Sequence, residues 1–171
     1  MSKRELKKFL SQLSKEQLEE QIVEIYEKFL PVKTYFNFVF NPNEEKLIKD
    51  AKLKISNEFF PVARKRPKMR RSVAQKYIKH FISLGVDPFL VADLMLYTIE
   101  IAQLLSSEKL IKQEAFFKGV FNSYSQSISF MIEHSILYEF RTRIESIKET
   151  TISQHWNNSF EFIDIIERFD Y

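Results

Sequence analysis

Apolar residues recur every three or four positions along almost the whole chain, the spacing typical of helices with one buried face. Capping residues mark where these helices begin and end. Asn41 and Asp87 each precede a proline, which favours the first helical position. Gly85 follows an apolar run as the expected C-terminal glycine of a helix. The spacing of a capping box, or an approximation of it, begins at Ser2, Ser14, Ser72 and Asn158.

This pattern predicts an all-α protein with eight or nine helices. The segment at about 88–105 is apolar on nearly all sides, which predicts a central helix that the others bury. Short turns between successive helices allow two architectures: an irregular bundle, or a short stack of antiparallel helix pairs resembling a helical-repeat superhelix. A length of 171 residues fits one domain, so we expect a single helical domain over residues 1–171, with a basic loop at 61–71.

Three scarce residue types exclude several chemistries. The chain has only two glycines, whereas phosphate-binding loops, dinucleotide-binding loops and the nucleophile elbow need closely spaced ones. It has no cysteine, which removes disulfides, thiol nucleophiles and cysteine zinc sites. The three histidines are too far apart in sequence for a helical zinc motif. We therefore expect no cofactor, no metal, no catalytic residue and no enzymatic activity.

Polar side chains interrupt the apolar central helix on one face. Asp93 and Glu100 are seven residues apart, which places them almost in line, and Gln103 lies near them. Two such carboxylates could form an acid–base pair or ligate a metal. More often, carboxylates on a buried helix pair with Arg or Lys of a neighbouring helix or face a narrow strip of solvent, and a structural role of one of these two kinds is what we expect here.

Charge is strongly segregated along the chain. Residues 41–85 hold 12 Lys/Arg and 4 Asp/Glu, net +8, whereas residues 86–171 hold 7 and 13, net −6. No acidic residue occurs between positions 59 and 86. The candidate anion-binding cations in this interval are Arg64, Lys65, Arg66, Lys68, Arg70, Arg71, Lys76 and Lys79.

The first six of these cations lie just before the predicted start of a helix, where the helix dipole makes positive charge mildly unfavourable, and Lys76 and Lys79 lie on one face of that helix. An anion such as phosphate would supply the missing counter-charge, since helix amides and arginine forks bind it together. The alternatives are a solvated, mobile basic loop, or a clamp onto the acidic C-terminal half of the protein itself. Pro61 and Pro67 favour an extended loop over a recognition helix.

Several segments resemble a family of small, all-helical bacterial proteins of unknown function. The resemblance is carried by residues 71–81, 84–89 and 92–97, with further similarity at 3–8 and 38–44. Such a family has no assigned activity, ligand or catalytic residue. The resemblance therefore implies a bacterial, helical protein and transfers no functional site.

We expect a non-enzymatic helical protein-interaction module, whose partner is another protein or a second copy of the chain. The alternative is binding of an anion, a nucleic acid or another phosphate-bearing ligand through the basic segment 64–80. The first residues contain no apolar leader segment, and no stretch reaches 18 uncharged apolar residues. These features predict a cytoplasmic protein without membrane insertion.

Overall fold

The computed structural model describes residues 1–62 and 66–168. These residues form nine α-helices and one 3-10 helix, without a strand, which confirms the all-α prediction. The 3-10 helix, Tyr138–Phe140, precedes the eighth α-helix. The α-helices are α1 (Lys3–Leu10), α2 (Lys15–Lys28), α3 (Leu30–Phe40), α4 (Glu44–Phe59), α5 (Arg71–Leu84), α6 (Pro88–Glu108), α7 (Glu114–Glu133), α8 (Arg141–Ser153) and α9 (Ser159–Glu167).

The chain divides into two compact units, residues 1–43 and residues 44–171. All the buried hydrophobic side chains found in the described chain belong to the second unit. The second unit therefore carries a core of its own. The single domain expected over residues 1–171 stays a prediction.

The first unit begins with two capping boxes, as predicted. Ser2 Oγ accepts the Glu5 amide, and the Glu5 carboxylate accepts the Ser2 amide in return. Ser14 and Gln17 repeat this reciprocal pair at the start of α2. Each box satisfies two amides that a helix start otherwise leaves without partners.

Helices α2 and α3 are joined by an aromatic contact. The Tyr26 and Phe36 rings meet edge to face with centroids 6.3 Å apart. The Tyr26 hydroxyl donates to Asn37 Oδ1 at 3.2 Å, and Lys33 Nζ lies 5.6 Å from the centre of the Tyr26 ring. No side chain of the first unit is buried.

Helix α6 is the centre of the second unit, as its apolar sequence predicted. It contacts α4, α5, α7 and α8. Its side chains Leu94, Leu96, Ile99 and Leu105 are fully buried, at 0% exposure. Helices α7 and α8 also contact α9, which closes the remaining side of the unit.

Three helices of the second unit end in the same type of turn. A residue at the helix end adopts a left-handed conformation, with φ of +77° at Gly85, +58° at Ser135 and +55° at His155. In each turn the next amide bonds back to a carbonyl of the last helical turn, a Schellman motif. The residues that donate those amides are buried and apolar: Val86, Ile136 and Trp156.

Two helix starts differ from the sequence prediction. Helix α5 begins at Arg71, so Ser72 lies inside its first turn and forms no capping box. The reason is that the Lys68 and Met69 amides donate to the Glu58 carbonyl, which fixes where α5 can begin. Asn41, expected to cap a helix beginning at Pro42, instead ends α3, and α4 begins at Glu44.

The start of α9 also lacks the predicted capping box. Asn158 occupies the N-cap position, but its side chain makes no capping bond to the backbone. Instead its Nδ2 donates to Glu161 Oε2 at 2.9 Å and to the Phe117 carbonyl at 3.3 Å. The side chain therefore links α9 to α7 rather than capping its own helix.

Candidate functional site

A network of charged side chains ties α6 to α4 and α8. Arg143 spans both carboxylates of the central helix: Nη1 donates to Asp93 Oδ1 and Nη2 to Glu100 Oε2, each at 2.7 Å. Lys52 Nζ lies 2.6 Å from Asp93 Oδ2 and 5.1 Å from the centre of the Tyr97 ring. The structure thus confirms that the two carboxylates pair with cations of neighbouring helices.

The protonation of this network fits a structural role. Burial by itself raises the pKa of Asp93, but hydrogen bonds from Lys52 and Arg143 outweigh it, so that the pKa lies below its ordinary value. Burial likewise lowers the pKa of Arg143, and its hydrogen bonds to Glu100 and Asp93 more than reverse this. Asp93 therefore stays ionised, with both oxygens occupied, which is typical of a structural ion pair rather than a general acid.

Some cations of the predicted basic segment are anchored by bonds to other parts of the protein, and others face solvent. Arg70 is one of the anchored cations. Its Nε and Nη2 donate to the two carboxylate oxygens of Glu58, both at 2.8 Å. This bidentate bond lowers the pKa of Glu58. Together with the two backbone bonds to the Glu58 carbonyl, it holds segment 68–70 against the end of α4. The acidic partner of Arg70 thus lies in α4 and not in the acidic C-terminal half.

Arg71 is the second anchored cation, and it packs on α7. Its Nη1 donates to the Gly119 carbonyl at 3.4 Å, and its Nε donates at 2.9 Å to the Gln75 side-chain oxygen when that amide faces it. Beneath Arg71 lies an apolar cavity of about 60 Å³, whose walls include Ile99 and Phe116. Ligand pockets measure about 300–1,000 Å³, so this cavity is a packing gap.

The other described cations of the segment face solvent. Arg66, Lys68, Lys76 and Lys79 are exposed and form no ion pair with any residue in 1–62 or 66–168. Lys76 and Lys79 lie one turn apart on α5. The two remaining candidates, Arg64 and Lys65, lie outside the described residues.

The first unit presents an unusual amount of exposed apolar surface. Helix α3 carries one charged residue, Lys33, among its eleven, yet none of its side chains is buried. Leu30 is 75% exposed and Phe40 is 74% exposed. Other large apolar side chains of α2, α3 and their connection are 42–55% exposed: Ile22, Val23, Ile25, Phe29, Tyr35 and Val39.

A wider surface groove of about 410 Å³ lies beside Trp156. Three of its polar side chains bond one another: Trp156 Nε1 donates to Ser106 Oγ and to Gln154 Oε1, both at 3.0 Å, and the Ser106 hydroxyl also donates to Gln154. His155 lines the groove but is exposed. The geometry offers no nucleophile held by a base, which an acyl-transfer site would require.

The described residues contain no candidate metal cluster and one long apolar helix. No three His, Asp or Glu side chains of the described chain come together in a group that could hold a metal ion. Helix α6 is long and apolar enough to cross a bilayer, but 61% of its most apolar stretch is buried inside the protein. Buried core helices of water-soluble proteins meet the same criteria, so this is weak evidence for a span.

Two features of these sites had no signal in the sequence. Arg143 and Lys52 are separated from Asp93 by many residues, and nothing in their local pattern distinguishes them from solvated cations. Glu58 is one acid among several in α4, and only the fold brings it to Arg70. The apolarity of α3 was visible, but its exposure was not.

The chain was compared with protein families, curated proteins and solved structures. No curated protein and no solved structure matches it. One family matches residues 1–170, nearly the full length, and its description is a family of unknown function, DUF6155. The match agrees with the resemblance to a family of unknown function seen in residues 71–97, and the bacterial origin that the resemblance implies stays a prediction. The chain therefore belongs to the DUF6155 family.

Proposed function

We propose that the protein is a non-enzymatic helical interaction module, which binds a partner protein through the apolar surface of its first unit. The observation that carries this proposal is the exposure of α3. A helix that is apolar all round is ordinarily buried. Helix α6, of similar apolarity, has ten buried residues, whereas α3 has none.

Energetics support a protein partner for this surface. Complete burial of a Leu or Phe side chain is worth about 1.5–3 kcal/mol, and exposed patches of large apolar residues commonly mark interaction sites. Leu30, Val39 and Phe40 alone would contribute a substantial fraction of the free energy of a protein–protein contact. A partner with an apolar helical face matches a surface built from helices.

The site geometry gives no support to an enzymatic alternative. The central carboxylates are engaged by Arg143 and Lys52, and in the groove beside Trp156 the Ser106 hydroxyl is bonded to Gln154 and Trp156 rather than to a base. We place this interaction in the bacterial cytoplasm, the compartment expected from the sequence. The partner is another protein or a second copy of the chain.

Position-specific photo-crosslinking in living cells tests this proposal. A photoreactive amino acid replaces Leu30 or Phe40 on the apolar surface, and Glu19 as the matched control, whose side chain is 65% exposed. We expect a discrete adduct from the first two positions and none from Glu19. An adduct of twice the monomer mass would identify a second copy. Equal adducts from all three positions, or none from any, would contradict the proposal.

A further inference from the structure

We propose that the exposed side of α5, together with Arg66 and Lys68, is a binding surface for the phosphate backbone of nucleic acid. This activity goes beyond the interaction proposed for the first unit and involves a different part of the chain. The surface, called the α5 basic surface below, consists of Arg66, Lys68, Ser72, Lys76 and Lys79.

The α5 basic surface follows one side of its helix. Ser72, Lys76 and Lys79 are four and three residues apart, so their side chains project from the same side. At about 1.5 Å of rise per residue they cover about 10 Å of helix, and one duplex strand carries a phosphate about every 3.4 Å along its axis, so a surface of this length can meet more than one phosphate. Hydroxyl and ammonium groups are the donors that proteins use on phosphate oxygens.

This arrangement is unfavourable for the protein alone. Like charges one turn apart on a helix destabilise it, and Lys76 and Lys79 have no acidic partner in the described chain. The start of α5 adds positive potential, because no side chain caps it and its first turn has no acid. A polyanion relieves all of these repulsions together.

The α5 basic surface is also held in position before any ligand arrives. Arg70 bonds both oxygens of Glu58, and the Lys68 amide donates to the Glu58 carbonyl at 2.9 Å. Arg71 contacts α7 through the Gly119 carbonyl. The anchored cations thus hold the backbone that carries the exposed cations. Less conformational entropy is therefore lost when a ligand binds.

The side-chain composition favours nucleic acid over a membrane or an acidic protein. Membrane-surface helices and protein hot spots combine cations with large apolar side chains. The one exposed large apolar residue of α5 is Ile82, at 48%, one turn beyond Lys79, and a single such side chain does not make the apolar face that a membrane-surface helix has. Lysine and serine contact phosphates without reading bases, so we expect binding that is independent of sequence.

Filter binding of mixed-sequence duplex DNA and RNA at increasing salt tests the inference. The variants are Lys76→Gln/Lys79→Gln and, as matched control, Lys49→Gln/Lys54→Gln, which removes the same charge from exposed positions of α4. The wild type should bind at low salt, and its log affinity should fall by about 0.9 per log unit of salt for each phosphate contacted. For the α5 variant, the slope of log affinity against log salt should be smaller by the amount expected for about two phosphate contacts. The control variant should keep the wild-type slope.

Several outcomes would overturn the inference. One is no saturable binding of the wild type to either nucleic acid at low salt. Another is an equal loss in both variants, which would mean that net charge alone is responsible. A third is binding to phosphatidylserine vesicles without binding to nucleic acid. Circular dichroism of each variant verifies that the substitutions leave the helices intact.

Discussion

A Cβ atom added at each of the two glycines of the chain should have opposite effects on stability. At Gly119, inside α7, a Cβ would meet Arg71 Cδ at 3.9 Å, an ordinary contact. We expect Gly119→Ala to raise the free energy of unfolding by about 0.5–1 kcal/mol, because alanine favours helix. Gly85→Ala should lower it by about 1–2 kcal/mol, since φ is +77° there although nothing crowds the position. Urea unfolding measures both, and changes of the same sign would contradict the assignment.

Ser135 and His155 adopt the left-handed conformation without being glycine. Replacing either with glycine should raise the free energy of unfolding by about 0.5–1 kcal/mol, because the strain on Cβ exceeds the extra chain entropy of glycine. Ser129→Gly, at an exposed position inside α7, is the matched control and should lower it by about 0.5–1 kcal/mol. Urea unfolding of the three variants separates the two effects. A loss of stability in all three would show that the turns are not strained.

These turns also show what the residues alone could predict. Gly85 was recognisable as a helix end because glycine prefers the left-handed conformation. Ser135 and His155 carry no such preference, and their turns exist because the following Ile136 and Trp156 are buried. Tertiary packing, which local sequence does not encode, imposes the conformation.

At the scale of the helix, α6 offers a buried and an exposed leucine for comparison. Leu94 is 0% exposed and Leu104 is 49% exposed. We expect Leu94→Ala to cost about 2–5 kcal/mol of unfolding free energy, because it removes buried contacts and leaves a cavity. Leu104→Ala should cost less than about 1 kcal/mol. Denaturant unfolding followed by circular dichroism measures the difference, and equal costs would mean that α6 is not central.

The charged network of α4, α6 and α8 predicts a dependence on pH. The pKa of Asp93 is lower in the folded protein than its ordinary value of 3.8. A lowered carboxylate pKa stabilises the fold above the unfolded-state pKa, and this contribution is lost as pH falls through the folded pKa. The wild type should therefore lose stability below about pH 4, and Asp93→Asn should lose less over the same interval. Unfolding free energies at several acidic pH values test this, and parallel curves would contradict it.

The same network shows that contacts between helices cannot be predicted from the pattern within one helix. Position on an apolar helix was enough to predict a structural role for Asp93 and Glu100, either paired with cations of a neighbouring helix or facing a narrow strip of solvent. Which cations these are depends on how α4 and α8 pack against α6, and no periodicity within one helix specifies that. The number of helices was predictable because each has its own 3.6-residue pattern.

For the whole molecule, the confinement of the core to the second unit leads to a further prediction. A fragment of residues 44–171 retains all the buried hydrophobic side chains found in the described chain. We expect it to fold by itself, with a helical circular dichroism spectrum and one cooperative thermal transition. A gradual, non-cooperative loss of helix on heating would contradict this expectation.

For the whole molecule, the sequence predicted where positive charge is concentrated, but not the role that each cation has. The acid-free interval was visible in the sequence, and the exposed Lys76 and Lys79 lie within it. The sequence did not show which cations are anchored and which are exposed, because Glu58 and Gly119 contact Arg70 and Arg71 only in the folded chain. Neighbouring arginines of one basic run can therefore have different roles.

Trp156, the buried residue after the α8 turn, is the only tryptophan of the chain. Its ring is 4% exposed and lies among the rings of Phe116, Phe117 and Phe162. Intrinsic tryptophan emission is therefore an optical signal from one site in the second unit. It should be blue-shifted in the folded protein and move to the red when α7, α8 and α9 separate. The emission of this one residue therefore reports the unfolding of the second unit without any added label.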